Sequence, residues 1–441
     1  MRAHTASPCG PELPRNETEP CISEDDAQRS GRARFLLFFP PTPGTLSFWV
    51  RGRSLMRITC VHQGYELYGS DRSFVESVGI IRAAYPHAQI DLVLPRHGPI
   101  VAPLSELATR IDIEPLWILR RRDLPRLMTL GLPGLPVAML RAWKRMRSSD
   151  LVYVNTSVVA DYLLAARFCP GRALLHVHEI PQGTTLTVLR TLIRWSGADV
   201  IFNSRATAAA FGLTDTTSSR VVYNGIAGPA VAEPKTYDGR RPLRLLMLGR
   251  ISRIKGQEVL VDAIRRLPGS IRQRLSVRIV GSAFEDTERE AALAAAIVEA
   301  GLSDTVTLSP FVDDPSDLYR WADVVVVPSR LPESLGRVAI EAMSYGRPAL
   351  VSRIGGLTEI VVPGRTGWSV APDDAAALSV QIERIVLNPK AWAAFPAAAR
   401  ARYDALFDER AAAEGITAMI SARLGGSSRS AVAESLATIE S

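Results

Sequence analysis

Cysteine is scarce in this 441-residue chain: Cys9, Cys21, Cys60 and Cys169 are its four, and their spacing fits neither a metal site nor a disulfide framework. Free thiols in a reducing cytoplasm are the reading that follows. No apolar run reaches the ~18 uninterrupted residues a membrane-spanning helix needs. The nearest, 35–50 and 127–140, are broken by Pro and Gly. The first 30 residues carry Glu and Asp where a secretory signal has an apolar core. No G-x-G-x-x-G follows a candidate strand, which argues against an NAD-linked oxidoreductase. No clear Asp-x-Asp motif stands in a cleft position; Asp313-Asp314 and Asp373-Asp374 read as turn or helix-start residues.

What is present is ordinary globular material, 47% apolar and 22% charged, in a chain long enough for two domains. The net charge of +7 is not spread evenly. Between Arg110 and Arg147 nine basic residues accompany three acidic ones, so nearly the whole surplus lies there. Trp117, Leu127, Met128, Leu140 and Trp143 interleave with it. That combination suits a local anionic partner, such as an anionic membrane surface or a lipid-linked pyrophosphate, and not nucleic acid.

Residues 1–55 are polar, Pro-containing and aperiodic, and read as a disordered leader. The buried-strand pattern starts at Met56, where the functional protein is expected to begin. Short apolar runs then alternate with helical periodicity: 57–62, 89–94, 150–155, 173–178, 198–202 and 220–223 as strands, with helices between. Residues 227–242, rich in Gly, Pro and Ala, read as a linker. A second series follows, with strands at 243–248, 276–280, 305–309, 323–327 and 348–352. The fold class is α/β, two doubly wound Rossmann-like domains, 56–226 and 243–400, facing a cleft. Residues 401–424 read as a helix returning to the first domain, and 425–441 as a frayed tail.

Three motifs carry the chemistry. Pro328-Ser-Arg-Leu-Pro-Glu333-Ser334-Leu335-Gly336 follows the apolar strand 323–327 and opens a helix that contains Glu341. A helix N-terminus after a strand is an anion site, since its backbone N–H groups point outward and the dipole favours negative charge. Glu341 lies ~7–8 Å along the axis from Gly336, at ~1.5 Å per residue. The flanking carboxylates can accept hydrogen bonds from sugar hydroxyls, so a nucleotide-sugar is the ligand suggested. Gly249-Arg250 through Lys255-Gly256 sets two cations beside another helix start, as a diphosphate requires. Gly355-Gly356 through Glu359, with Gly364 and Gly367, follows the strand 348–352; its first glycines permit close backbone approach to a ligand, and its last two read as turns. In the first half, Tyr68-Gly69-Ser70-Asp71-Arg72 follows the first strand, and His176-Val-His178-Glu179 ends another. His176 and His178 share a strand face but have no suitably spaced third metal ligand. Asn224-Gly225 reads as a turn.

Together these motifs resemble the retaining nucleotide-sugar glycosyltransferases of family 4, the "glycosyl transferases group 1" type. The resemblance spans roughly 56–424 and implies the GT-B fold. It implies that Arg250 and Lys255 bind the donor diphosphate, that Glu333 and His178 lie beside the donor sugar, and that Glu341 binds the ribose. Gly69, Ser70, Gly249, Ser334, Leu335 and Gly336 complete the donor site. The implied reaction transfers a sugar from a nucleoside diphosphate sugar to an acceptor hydroxyl, saccharide or lipid-linked. It needs no metal and no cofactor beyond the donor substrate. A nucleotide-sugar epimerase and a catalytically idle scaffold of the same architecture are the competing readings.

Overall fold

The computed structural model describes residues 55–67, 69–119, 132–214, 218–232, 235–283 and 286–437, with side chains described as far as residue 425. The leader expected over 1–55 therefore falls, but for Leu55, outside the described residues, as does the middle of the basic segment.

The first sheet contains β1 (Arg57–Val61), β2 (Gln89–Leu94), β3 (Arg110–Ile113), β4 (Leu151–Val154), β5 (Ala173–Val177), β6 (Asp199–Phe202) and β7 (Ser219–Val221). All pair in parallel, in the order β3-β2-β1-β4-β5-β6-β7. The second contains β8 (Leu243–Leu248), β9 (Leu275–Val280), β10 (Val306–Ser309), β11 (Val324–Val327), β12 (Ala349–Ser352) and β13 (Gly367–Val370), also parallel, ordered β10-β9-β8-β11-β12-β13. Both are Rossmann-like domains of the GT-B kind. The central strands β4 (LVYV) and β11 (VVVV) are buried at every residue, because helices cover both faces of a parallel sheet and each strand is apolar throughout.

The helices between these strands are α1 (Gly69–Ala84), α2 (Val101–Ser105), α3 (Leu135–Ser148), α4 (Ala160–Ala166), α5 (Thr184–Ser196) and α6 (Arg205–Phe211) in the first half. In the second they are α7 (Gln257–Arg266), α8 (Gly269–Arg272), α9 (Thr287–Glu299), α10 (Ser316–Trp321), α11 (Arg337–Ser344), α12 (Leu357–Ile360), α13 (Ala375–Leu387), α14 (Phe395–Leu406) and α15 (Glu409–Ala437).

The chain order reverses between β1 and β4, and again between β8 and β11. Loops leaving the carboxyl ends of those neighbouring strands diverge to opposite faces, which opens a crevice at each reversal point. The first crevice is built by the segments after β1, β4 and β5, the second by those after β8 and β11.

α15 returns to the first half. Ile416 and Ile420 are buried in the core formed by Ile58, Val78, Leu174 and Val222, while Phe407, just before the helix, belongs to the core of the second half. Burying each isoleucine contributes about 1.5–3 kcal/mol. Arg423 adds an ion pair to Asp199. The helix runs on to Ala437, where the sequence pattern suggests fraying from residue 425.

Two strands are absent from the sequence reading. β3 lies within the basic segment, at the sheet edge; its four residues are exposed or half-buried, so no apolar run marks it. β13 begins at Gly367, which the pattern presents as a turn residue.

Candidate active site

A cleft of about 460 Å³ opens between the two crevices. Its wall from the first half contains Gly69, Ser70, Arg72, Ser73, His178, Asn203 and Asn224. Its wall from the second half contains Gly249, Arg250, Lys255, Tyr319, Glu333, Ser334, Leu335, Gly336, Arg337 and Glu341. All eleven residues that the family resemblance assigns to the donor site line this one cleft, which has the size of a small-molecule site.

The second-half wall is built around the N-terminus of α11. Gly336 caps it at φ 96°, a left-handed conformation that side chains disfavour. Ala339, Ile340, Ala342 and Met343 face the core and hold the helix in place. Val338 is half-buried, packing against that core and also lining the cleft. Lys255 comes from the turn after β8 and places its Nζ 2.8 Å from Glu333 Oε2. Ser329 Oγ donates to the other oxygen of Glu333. The turn carrying Arg250 is pinned by Gln257, whose Nε2 donates to the Arg250 carbonyl at 3.0 Å. One turn into α11, Glu341 Oε2 accepts a 2.6 Å hydrogen bond from the Tyr319 hydroxyl, and Tyr319 stacks on Tyr345. Burial and the Glu341 carboxylate push the Tyr319 phenol well above its ordinary range, so it stays a donor.

Gly355 and Gly356 do allow a close approach, but to the chain itself. A side chain at either position would collide with the backbone of Glu333 or Ser334, and the Gly356 N–H donates to the Glu333 carbonyl at 2.8 Å. The pair braces the Glu333–Gly336 loop from behind. Glu359, in the same motif, reaches the other half: it accepts from the N–H groups of Arg205 (2.8 Å) and Ala206 (2.7 Å) and from the Tyr223 hydroxyl (2.9 Å). Those amides are the unsatisfied donors at the start of α6, where a carboxylate is favoured.

In the first half, Gly69 and Ser70 form the first turn of α1. Asp71 turns away from the cleft and is buried against His62 at 2.8 Å. His176 is buried, its Nδ1 taken by the Tyr153 hydroxyl; burial alone lowers its pKa to about 3. His178 faces the cleft and is likewise held well below the usual imidazole range, chiefly by burial and then by His176, His62 and Arg337. Among the described residues no group of three His, Cys, Asp or Glu side chains is placed to hold a metal ion. Asn224 is a cleft residue with a defined hydrogen-bond role and not merely a turn.

Sequence reasoning missed Arg337, Tyr319, Asn203 and Ser73. Arg337 Nη1 and Nη2 bind Glu76 of α1 at 3.0 and 2.8 Å, across the cleft. Burial opposes its charge, but Glu76 and Glu341 hold its pKa above the ordinary arginine value. Asn203 Nδ2 donates to Ser334 Oγ at 3.2 Å, a second bridge between halves. Arg337 follows Gly336 directly, so adjacency to the motif was the available signal; the other three carry none.

Residues 237–402 match the model of the family described as glycosyl transferases group 1. The D-inositol 3-phosphate glycosyltransferase of Nocardiopsis dassonvillei is 38% identical over 159 residues, 34% of this chain and 36% of that protein. Its counterpart from an Arthrobacter species is 37% identical over 147 residues, 33% of this chain and 34% of that protein. The matched region thus spans about a third of the length of these curated relatives. Among solved structures, HepE of Anabaena in complex with UDP superposes with a TM-score of 0.67 at 22% identity, covering 83% of this chain and 100% of that one. Sucrose-phosphate synthase of Thermosynechococcus elongatus gives 0.63 at 22% identity, covering 84% and 100%. Residues 237–402 are thus similar to the group 1 glycosyltransferases, and the two-sheet architecture shared along most of the chain is the GT-B fold.

Proposed function

We propose that the protein transfers a sugar from a nucleoside diphosphate sugar to an acceptor hydroxyl, with retention at the anomeric carbon. One observation carries this reading: Arg250, Lys255 and the N-terminus of α11 converge with two carboxylates, Glu333 and Glu341, in a cleft walled by both halves. The diphosphate sits against the Gly336 end of α11, where Arg250, Lys255 and outward N–H groups stabilise its charge as it leaves. The ribose reaches Glu341, and the sugar lies between Glu333 and His178. The bond from the anomeric carbon to the phosphate oxygen breaks as the acceptor oxygen attacks from the same face. The acceptor's proton passes to the departing phosphate oxygen. Glu333 is not a nucleophile in this scheme, since both its oxygens are engaged by Lys255 and Ser329.

The charge on the leaving group is met by the chain's own groups, so turnover should persist in a chelator. Turnover that vanishes in chelator and returns with a divalent cation would reject that part. The glycosyltransferase names of the relatives and the UDP in the HepE complex make UDP the first nucleotide to test. Acceptor-dependent release of nucleoside diphosphate separates transfer from epimerisation; release without an acceptor, or none, contradicts it.

We place the acceptor in cell-surface polysaccharide or glycolipid assembly, with the enzyme at the inner face of the membrane. The support is α3, whose outer face exposes Val137 and Leu140 beside Lys144 and Arg147. Among the described residues no helix is long and apolar enough to cross a membrane, so the contact would be peripheral. Arg145 of the same helix is unavailable, being paired with Asp112 and Glu114. Sedimentation with vesicles that rises with anionic lipid content supports docking; insensitivity to lipid charge rejects it.

A further inference from the structure

The His178 ring is tied into a line of hydrogen bonds whose direction is fixed at both ends. At one end stands Arg337 of the second half, which can only donate; its Nη1 lies 2.9 Å from Ser73 Oγ. At the other stands the Asp71 carboxylate, an acceptor, 2.8 Å from His62 Nε2. Every link between them can be assigned.

Ser73 uses its own proton on the Gly69 carbonyl at 3.1 Å, so toward Arg337 and Asn224 its oxygen must accept. Asn224 therefore presents its amide nitrogen to Ser73, at 2.8 Å. The same nitrogen lies 3.3 Å from His178 Nδ1, which must then be the unprotonated, accepting atom. The His178 proton is left on Nε2, which donates to Asn155 Oδ1 at 2.8 Å. Asn155 in turn offers its amide nitrogen to His62 Nδ1 at 3.3 Å, leaving the His62 proton on Nε2 for Asp71. His62, Asp71, Ser73, Asn155 and Asn224 are all buried, and His62 stacks on Phe74 with ring centroids 4.6 Å apart. Asn224 Oδ1 is buried and without a hydrogen-bond partner, the consequence of turning the amide this way round.

We infer that Arg337, Ser73 and Asn224 are positioning residues that act across the cleft to hold His178 as the neutral Nε2–H tautomer. The device spans both halves: Arg337 belongs to α11, and Ser73 to α1, beside the Glu76 that pairs with the same guanidinium. From the second half Arg337 thus reinforces the direction that the Gly69 carbonyl sets within the first. A neutral ring adds no positive charge where a glycosyl cation develops. The charged or titratable groups facing it are His176 at a ring distance of 3.9 Å, His62, Arg337 and Glu179, whose carboxylate accepts from the backbone N–H of His178. The catalytic consequence rests on the proposed transfer reaction, but the tautomer does not.

The test uses the full chain labelled with 15N-histidine and long-range 1H–15N correlation spectra, assigned by a His178→Gln control. In the unsubstituted protein His178 should show Nε2 protonated and Nδ1 bare. Ser73→Ala removes the acceptor that orients Asn224, and should give a tautomer mixture with roughly tenfold lower kcat; Ser73→Thr, which keeps the hydroxyl, should restore both. Asn224→Asp is nearly isosteric and cannot donate, so it should move the proton to Nδ1 whether or not Ser73→Ala folds. An unchanged His178 pattern in Asn224→Asp, or an Nδ1–H form in the unsubstituted chain, would overturn the inference. A shifted tautomer in a chain that turns over no nucleotide sugar would instead sink the proposed reaction and leave the positioning role standing.

Discussion

Lys255 Nζ lies 2.8 Å from the Glu333 carboxylate, joining the turn after β8 to the loop after β11. The lysine is therefore held in place before any ligand arrives, with its charge facing both the carboxylate and the cleft. Under the proposed transfer reaction, replacing it by Ala removes a preorganised cation at the leaving group. We expect kcat/KM to fall by about 10²–10³, with Lys255→Arg recovering part of the loss and the melting temperature little changed. Steady-state turnover and thermal melts of the two variants check this.

Glu359 and the α6 amides form a tie between the halves that touches no ligand. Glu359→Gln loses the charge and one of the acceptor oxygens used by Arg205, Ala206 and Tyr223. A loss of about 1–3 kcal/mol in urea unfolding is expected, larger than for Tyr223→Phe, which removes one of the three bonds. Equal stabilities for Glu359→Gln and the parent would contradict the tie.

Two pH windows follow from the buried rings. His176 is lowered to about 3 and His178 well below its ordinary value, both mainly by burial. Between about 6.5, the unfolded value, and 3 the unfolded chain binds more protons, so stability should fall as pH drops through that range. Tyr223 and Tyr403 are raised to about 12, so their contribution is present below pH ~10 and lost as pH climbs toward 12. Urea melts across pH should show both declines, with a shallower acid limb in His176→Gln.

The return of α15 to the first half should contribute measurably to stability. Ile420 is fully buried in the first-half core, and Ile420→Ala should cost about 2–5 kcal/mol through lost burial and the cavity left behind. Arg423→Ala, at the more exposed end of the same contact, should cost less. Denaturant titration of both variants orders them.

The inner strands were legible as short runs rich in apolar residues, so β1, β2, β4, β8 and β11 lie where the sequence puts them to within a residue at either end. The edge strands β3 and β13 were not, because half-exposed strands of four residues carry no run and Gly367 imitates a turn. The cleft residues were legible where a glycine, a strand end and a charge coincide, as at Gly249-Arg250 and Glu333–Gly336. Ser73, Asn203 and Tyr319 were not, because their place in the cleft depends on packing between distant segments. Glu359 was visible as part of a motif, yet its partners Arg205 and Ala206 lie over 150 positions away, and no local pattern connects them.

The most direct test of the central claim is a thermal-shift panel of UDP, GDP and ADP on the full chain, repeated on Lys255→Ala and Glu341→Ala. A nucleotide bound at ~100 times its dissociation constant should add about 2.7 kcal/mol of stability. We expect one member of the panel to do so with the unsubstituted chain and to lose that effect in both variants. No shift with any nucleotide, or the same shift in the variants, would contradict the assignment of this cleft to a nucleoside diphosphate sugar.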